Sequence, residues 1–207
     1  GVIVDSNPVH EQVWRQYLER FGIRLNGAMA ARMFGRRNDE IVRDFFGGHL
    51  HPEEVFEHGA AKETLYREVM RGNLDRSLVA GVRSFLERNR TAPIGLATNA
   101  EPANAEFVLD EAGLRDYFHV VVDGHMVERP KPDPQIYLLA ANNLATSPRN
   151  CIIFEDSVSG VTAARAAGAR VVGLTTTHQA LSDTDLNIDS FLSGDLEPWL
   201  SRQVPLR

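Results

Sequence analysis

From Leu78 onward, this chain of 207 residues alternates stretches of helical period with short apolar runs, and that alternation limits its fold more than any other feature. The runs are Ile94-Gly95-Leu96-Ala97, Val120-Val121-Val122, Cys151-Ile152-Ile153-Phe154 and Val171-Val172-Gly173-Leu174. Between them lie helical stretches. One contains Val82, Phe85 and Leu86; the next opens at Pro102, carries Phe107 and Val108 and stops at Gly113; another begins at Asp133-Pro134. The stretch after Ser157 is built of small residues (Gly160, Ala163, Ala164, Ala166, Ala167), which permits close approach to a sheet, and Gly168 ends it. Such alternation predicts a parallel sheet with helices on both faces.

Residues from about Asn7 to Asp75 read as helix only. Asn7-Pro8 offers a cap and a first-turn proline, Gly22 offers the stop, and Val9, Val13, Tyr17 and Phe21 form one apolar stripe. A second helix is expected to end near Gly35. A third starts from Asn38, with Asp39 and Glu40 at the positive end of its dipole and Ile41, Val42, Phe45 and Phe46 facing inward. Leu65, Tyr66, Val69 and Met70 mark a last helix, ended by Gly72. This block is an insertion into the α/β core or a lobe beside it.

Composition narrows the function classes. A net charge of −6 with no basic stripe disfavours a nucleic-acid surface. The single cysteine, Cys151, rules out an intrachain disulfide framework and is expected to be a buried strand residue. No apolar run reaches membrane-spanning length. The expectation is a cytoplasmic monomer that engages neither nucleic acid nor membrane.

Chemistry is expected where strands end, because α/β proteins place their sites at the carboxyl edge of a parallel sheet. Glu155-Asp156 follows the third apolar run, Thr98-Asn99 follows the first, and Lys131 stands between Pro130 and Pro132. Asp156 or Ser157 could serve only to cap the following helix. Two adjacent acids at a strand exit also repel each other, and a hard cation such as Mg2+, which prefers oxygen ligands, would offset that repulsion. The prolines stiffen the backbone on either side of Lys131 and limit where its ammonium can reach.

Together these segments resemble the haloacid dehalogenase superfamily, in the helical-cap branch that contains β-phosphoglucomutase and many sugar-phosphate phosphatases. Gly1-Val2-Ile3-Val4-Asp5-Ser6 is similar to the tail of that family's first motif, an Asp-x-Asp-Gly-Val pattern followed by Asp-Ser or Asp-Thr. Thr98 matches the second motif, Lys131 in Lys-Pro-Asp-Pro the third, and Glu155-Asp156-Ser157-x-x-Gly160 the fourth.

The resemblance implies an α/β fold: a Rossmann-like core of residues 1–6 and 76–207 with an inserted all-helical cap of residues 7–75. It implies a Mg2+-dependent phosphatase acting on a small phosphorylated metabolite, with a sugar phosphate as the expected substrate. Asp156 would ligate Mg2+ with Glu155 as a direct or water-mediated partner. Thr98 and the amides near Asn99 would bind phosphoryl oxygens, and Lys131 would neutralise charge on nucleophile and phosphate. The family's nucleophile and acid/base, the two aspartates of its first motif, would lie three and one positions before Gly1. The 207 residues alone are therefore expected to be inactive, and the sheet to lack its central strand between the strands ending at Ala97 and Phe154.

Substrate choice would rest with the cap. His10 and Lys62 stand where mutase-type members carry a histidine and a lysine; a helix-face histidine and a solvated lysine are the plainer alternatives. The family's phosphate-binding arginine aligns with Asn38, with Arg36 and Arg37 next to it as substitutes, and Glu101 stands where the mutase has a lysine. An acid at that point would repel a second phosphate, so hydrolysis is favoured. A β-phosphoglucomutase-type mutase and a non-catalytic phospho-ligand binder are the alternatives.

Overall fold

A computed structural model describes residues 1–33, 36–177 and 180–203 of the chain. It divides into two compact units, one of Gly1–Asp5 with Asp75–Arg207 and one of Ser6–Leu74.

In the second unit the secondary structure among the described residues is helical. Its helices are α1 (Asn7–Glu19), α2 (Gly27–Ala31), α3 (Asn38–Phe46) and α4 (Pro52–Arg71). Pro8 sits in the first turn of α1, where its missing N–H costs nothing, although Ser6 rather than Asn7 holds the cap position. Val9, Val13 and Tyr17 are buried as their spacing requires, but α1 ends before Phe21, which is 50% exposed and packs its ring against Tyr17, Phe46 and His58. Gly35, the expected end of the second helix, lies outside the described residues. α4 starts well before the apolar positions that mark it in the sequence. His51 and Glu54 form a capping box at its N-terminus, the His51 amide donating to the Glu54 carboxylate at 2.7 Å. Trp14, Leu18, Ile41, Val42 and Val55 form the core of this unit.

Beyond the short α5 (Leu74–Ser77), the first unit alternates as expected: α6 (Val82–Arg88), β1 (Gly95–Ala97), α7 (Pro102–Glu111), β2 (Val120–Val122), α8 (Gln135–Asn143), β3 (Ile152–Glu155), α9 (Val158–Ala166), β4 (Arg170–Leu174), β5 (Leu186–Ile188) and α10 (Leu196–Gln203). Pairing is parallel in all three ladders; α7 connects β1 to β2 and α9 connects β3 to β4, as parallel pairs need a crossover, whereas β5 follows β4 with no helix assigned between them among the described residues. Among the described residues the strands form two sheets, β1-β2 and β3-β4-β5, and no ladder joins β1 to β3. β4, paired on both sides, is almost wholly buried, whereas β1 and most of β3 are only partly buried.

One apolar core serves both sheets, because α8 packs on β1 and β2 while α9 packs on β3 and β4. Ile153 joins that core; Phe154, the next residue and so on the opposite face, meets Phe85 of α6 and Phe191. Cys151 departs from its expected place: it precedes β3 and is only partly buried, since the strand begins one residue later. β5 and α10 have no strong sequence signal; Leu186-Asn187-Ile188 is too short to read as a strand alone.

Leu18 is fully buried in the helical core, so Leu18→Ala should lower unfolding free energy by about 2–5 kcal/mol, the range for a partly collapsed cavity. Urea denaturation followed by circular dichroism measures it.

Candidate functional site

The two residues after the core of β3 carry most of the site. Glu155 is buried, and its carboxylate meets five donors: Lys131 Nζ, the Tyr137 hydroxyl, the Asp156 and Ser157 amides and Ser157 Oγ. Lys131 Nζ donates to Glu155 Oε1 at 2.5 Å and approaches the Ala97 carbonyl oxygen at 3.4 Å, so it spans the ends of β3 and β1. Burial alone would push the Glu155 carboxyl up; the charge and hydrogen bond of Lys131, helped by Tyr137 and opposed by Asp156, hold it below the ordinary carboxylate range. The Tyr137 phenol is pushed well up, by burial first and by the Glu155 charge second, so it stays a protonated donor.

Local sequence explains these positions. Pro134 holds the cap position of α8; Asp133, just before it, accepts at Oδ1 from the Gln135 amide at 3.0 Å, and Arg129 is tied to both Asp133 and Gln135. The loop that presents Lys131 is thus anchored at both ends, with a cis Lys131–Pro132 peptide between. Ser157 caps α9 through Oγ, which accepts from the Gly160 amide at 3.0 Å. Gly160 is required for a different reason: a Cβ there would lie 2.0 Å from the Glu155 carboxyl carbon.

Asp156 points differently from Glu155. Its Oδ2 accepts from Thr177 Oγ1 at 2.6 Å, and its Oδ1 lies 3.4 Å from the Gly1 backbone nitrogen. Thr176 Oγ1 donates to the Gly1 carbonyl at 2.8 Å, which sets the first residues of the chain beside Asp156. Thr98 is half-buried at the end of β1, where its hydroxyl accepts from the Ala100 amide at 3.1 Å. Asn99 is exposed beside Gly124.

Lys131, Glu155 and Asp156 are therefore brought together by direct contact or chain adjacency, and Thr98 adjoins them through Ala97. Tyr137, Thr176 and Thr177 are participants that the sequence reading passed over. Tyr137 reads as an ordinary core position of α8. Thr177 follows β4 and carries the same strand-end hydroxyl signal that singles out Thr98.

Among the described residues no three His, Cys, Asp or Glu side chains gather closely enough to hold a metal by themselves. Mg2+ does not require such a cage; it is held through one or two carboxylates, with substrate phosphate and water completing an octahedron. Asp156, an ionised oxygen donor at a strand end, fits that demand.

In the helical unit, Lys62 is 2% exposed. Its Nζ donates to Glu63 Oε1 at 2.9 Å and to His10 Nδ1 at 2.9 Å, and lies over the Trp14 ring at 5.3 Å. His10 stacks on Tyr66 with centroids 4.1 Å apart. Asn38 Nδ2 donates to the same Glu63 oxygen at 2.5 Å. Arg36 is held by Glu40 and Asp44, and Arg37 pairs with Asp39, all near the surface. Lys62 and Lys131 are the two lysines of the chain, and both sit against buried carboxylates.

An ammonium can only donate, so His10 Nδ1 must accept and the ring proton sits on Nε2. Burial, then the Lys62 charge, push the His10 pKa down from 6.5 to about 3. The folded value lies below the free one, so the unfolded chain takes up the proton first. Stability linked to the neutral ring is lost as the pH falls from 6.5 toward 3. In 15N NMR, His10 should remain a neutral Nε2-H ring down to about pH 5, where ordinary histidines are already charged; Lys62→Met should raise its pKa.

Gly160→Ala should displace the Glu155 carboxylate from its donors, because five hydrogen bonds leave it no easy retreat. The expected cost is about 1–3 kcal/mol, as for overpacking a filled site, read from urea unfolding.

Comparisons with known proteins agree with this geometry. The family model for haloacid dehalogenase-like hydrolases matches residues 1–168. The chain is 33% identical over 177 residues to the fructose-1-phosphate phosphatase YqaB of Escherichia coli K12, a match covering 83% of this chain and 90% of that protein. It is 29% identical over 184 residues to the β-phosphoglucomutase of Bacillus subtilis 168, covering 84% of this chain and 79% of that one. Among solved structures, a β-phosphoglucomutase from Clostridium difficile superposes with a TM-score of 0.82 at 25% identity, over 98% of this chain and 92% of that one. With parallel strands ending at Thr98 and at Glu155-Asp156, Lys131 reaching both ends from the loop before α8, and a family match that runs from Gly1 through α9, the chain belongs to the haloacid dehalogenase-like hydrolases.

Proposed function

We propose that the protein hydrolyses a small phosphate monoester, a sugar phosphate, in a Mg2+-dependent reaction. The observation that carries this reading is the Lys131–Glu155 ion pair beside Asp156 where β1 and β3 end. It holds an ammonium where negative oxygens must gather, which is the main electrostatic task of phosphoryl transfer. The phosphatases among its relatives, including one named for fructose 1-phosphate, support the substrate class.

In this reading the core is residues 1–6 with 76–207, and residues 7–75 form a cap that selects the substrate through His10, Asn38 and Lys62, with Arg36 and Arg37 beside them. Lys131 neutralises charge on the phosphoryl group and on the attacking carboxylate, which the resemblance assigns to the first motif ahead of Gly1. The Thr98 hydroxyl and the amides near Asn99 receive the phosphoryl oxygens. Asp156 would hold Mg2+, which when bound supplies further charge neutralisation at the phosphate. Two features favour hydrolysis over mutase chemistry. Asn38 offers no charge to a second phosphate and its amide is committed to Glu63. Glu101, 3.4 Å from His125, places an acid at the start of α7.

The test is a phosphate-ester panel with the full-length protein and Mg2+. Asp156→Ala should lose metal-dependent turnover and also weaken Mn2+ binding measured by electron paramagnetic resonance without substrate. Lys131→Ala should lower kcat on the order of a hundredfold, as for loss of a preorganised electrostatic group. Tight binding of an ester with no turnover of any would establish the non-catalytic binder instead.

A further inference from the structure

We infer that Tyr137, a residue outside the motifs of the site, positions the Lys131 ammonium, and that Glu155 is the other half of this clamp rather than a direct metal ligand. Two contacts from one side chain carry the assignment. The Tyr137 hydroxyl donates to Glu155 Oε1, the same oxygen that receives Lys131 Nζ at 2.5 Å. The Tyr137 ring lies under that ammonium, with Nζ 4.8 Å from the centroid, within cation–π range. Glu155 Oε2 is occupied by the Asp156 and Ser157 amides and by Ser157 Oγ. The carboxylate thus has donors on both oxygens, whereas Asp156 points elsewhere.

The geometry is a lever set by the chain itself. Lys131 and Tyr137 lie at either end of the loop and first turn that open α8, and 6% exposure at Tyr137 leaves its ring little freedom. With the hydroxyl removed, Glu155 Oε1 loses a donor and its hold on Lys131 loosens. With the ring removed as well, the ammonium loses the surface beneath it. Tyr137 touches no reacting atom; it acts through Lys131.

This inference rests on the role proposed for Lys131, so its test has an arm that does not depend on turnover. With only two lysines in the chain, an amine-acylating reagent followed by mass spectrometry reads Lys131 directly, with Lys62 as the internal control. In Tyr137→Phe the Lys131 labelling rate should rise severalfold while that of Lys62 stays as in wild type. In the active full-length enzyme, kcat should fall about tenfold, the worth of one hydrogen bond to a charged group. KM and the Mg2+ half-saturation should change less than about twofold, because the groups that bind phosphate and metal remain. Tyr137→Leu should lower kcat further, and Glu155→Gln should lower kcat without a comparable change in Mg2+ half-saturation. An unchanged Lys131 labelling rate, or wild-type kcat in a folded Tyr137→Phe, overturns the role of Tyr137. A Mg2+ half-saturation raised tenfold or more by Glu155→Gln overturns that of Glu155. A wild-type enzyme inert toward every ester would sink the proposed function, while the labelling arm would still decide for or against Tyr137.

Discussion

The α/β unit depends on one buried carboxylate. Glu155 would be costly to bury alone, since an ionised group loses its water on leaving solvent. Lys131, Tyr137 and the first amides of α9 replace that water, and the contacts fix more than the side chain. They set where β3 stops, where α9 starts and why Gly160 must lack a side chain. Through Lys131 they also tie the end of β3 to the end of β1, two strands that share no ladder among the described residues.

Asp156 gains its distinct character from the same arrangement. Its neighbour faces inward to the lysine, so Asp156, one residue on, is turned toward Thr177 and the first residue of the chain. Two adjacent acids thus stand in different settings: one sealed by donors, the other turned toward the Thr177 hydroxyl. Adjacent acids in a sequence read as a matched pair of ligands. The fold gives them different partners, because successive residues leaving a strand project to different sides.

The helical unit uses a similar device. Lys62 is buried between Glu63 and His10, with aromatic rings around it, and Asn38 shares the Glu63 carboxylate. No lysine is spent on the surface, where exposed ion pairs such as Arg15–Glu11 and Arg129–Asp133 are made by arginine. Placing both lysines against buried carboxylates suits the compact ammonium, which can donate in several directions at once.

The sequence by itself determined the alternation of strands and helices after Leu78, the helical character of the stretch before it, the strand-end positions of Thr98, Glu155 and Asp156, and the place of Lys131 in the proline-flanked loop before a helix. Periodicity, caps and glycine stops are local, so they are legible without the fold. It could not show β5 or the first half of α4, whose residues become regular only through pairing or a capping box. Nor could it show that Phe21 lies beyond its helix or that Cys151 lies before its strand. Only the tertiary structure decided which oxygen each donor reaches. That choice joined Tyr137 to Glu155, Thr177 to Asp156 and Glu63 to Asn38, and it tied Arg36 and Arg37 to nearby acids. These are contacts between residues on different elements, or between surface charges with several partners in reach, and their geometry is set by packing rather than by spacing along the chain.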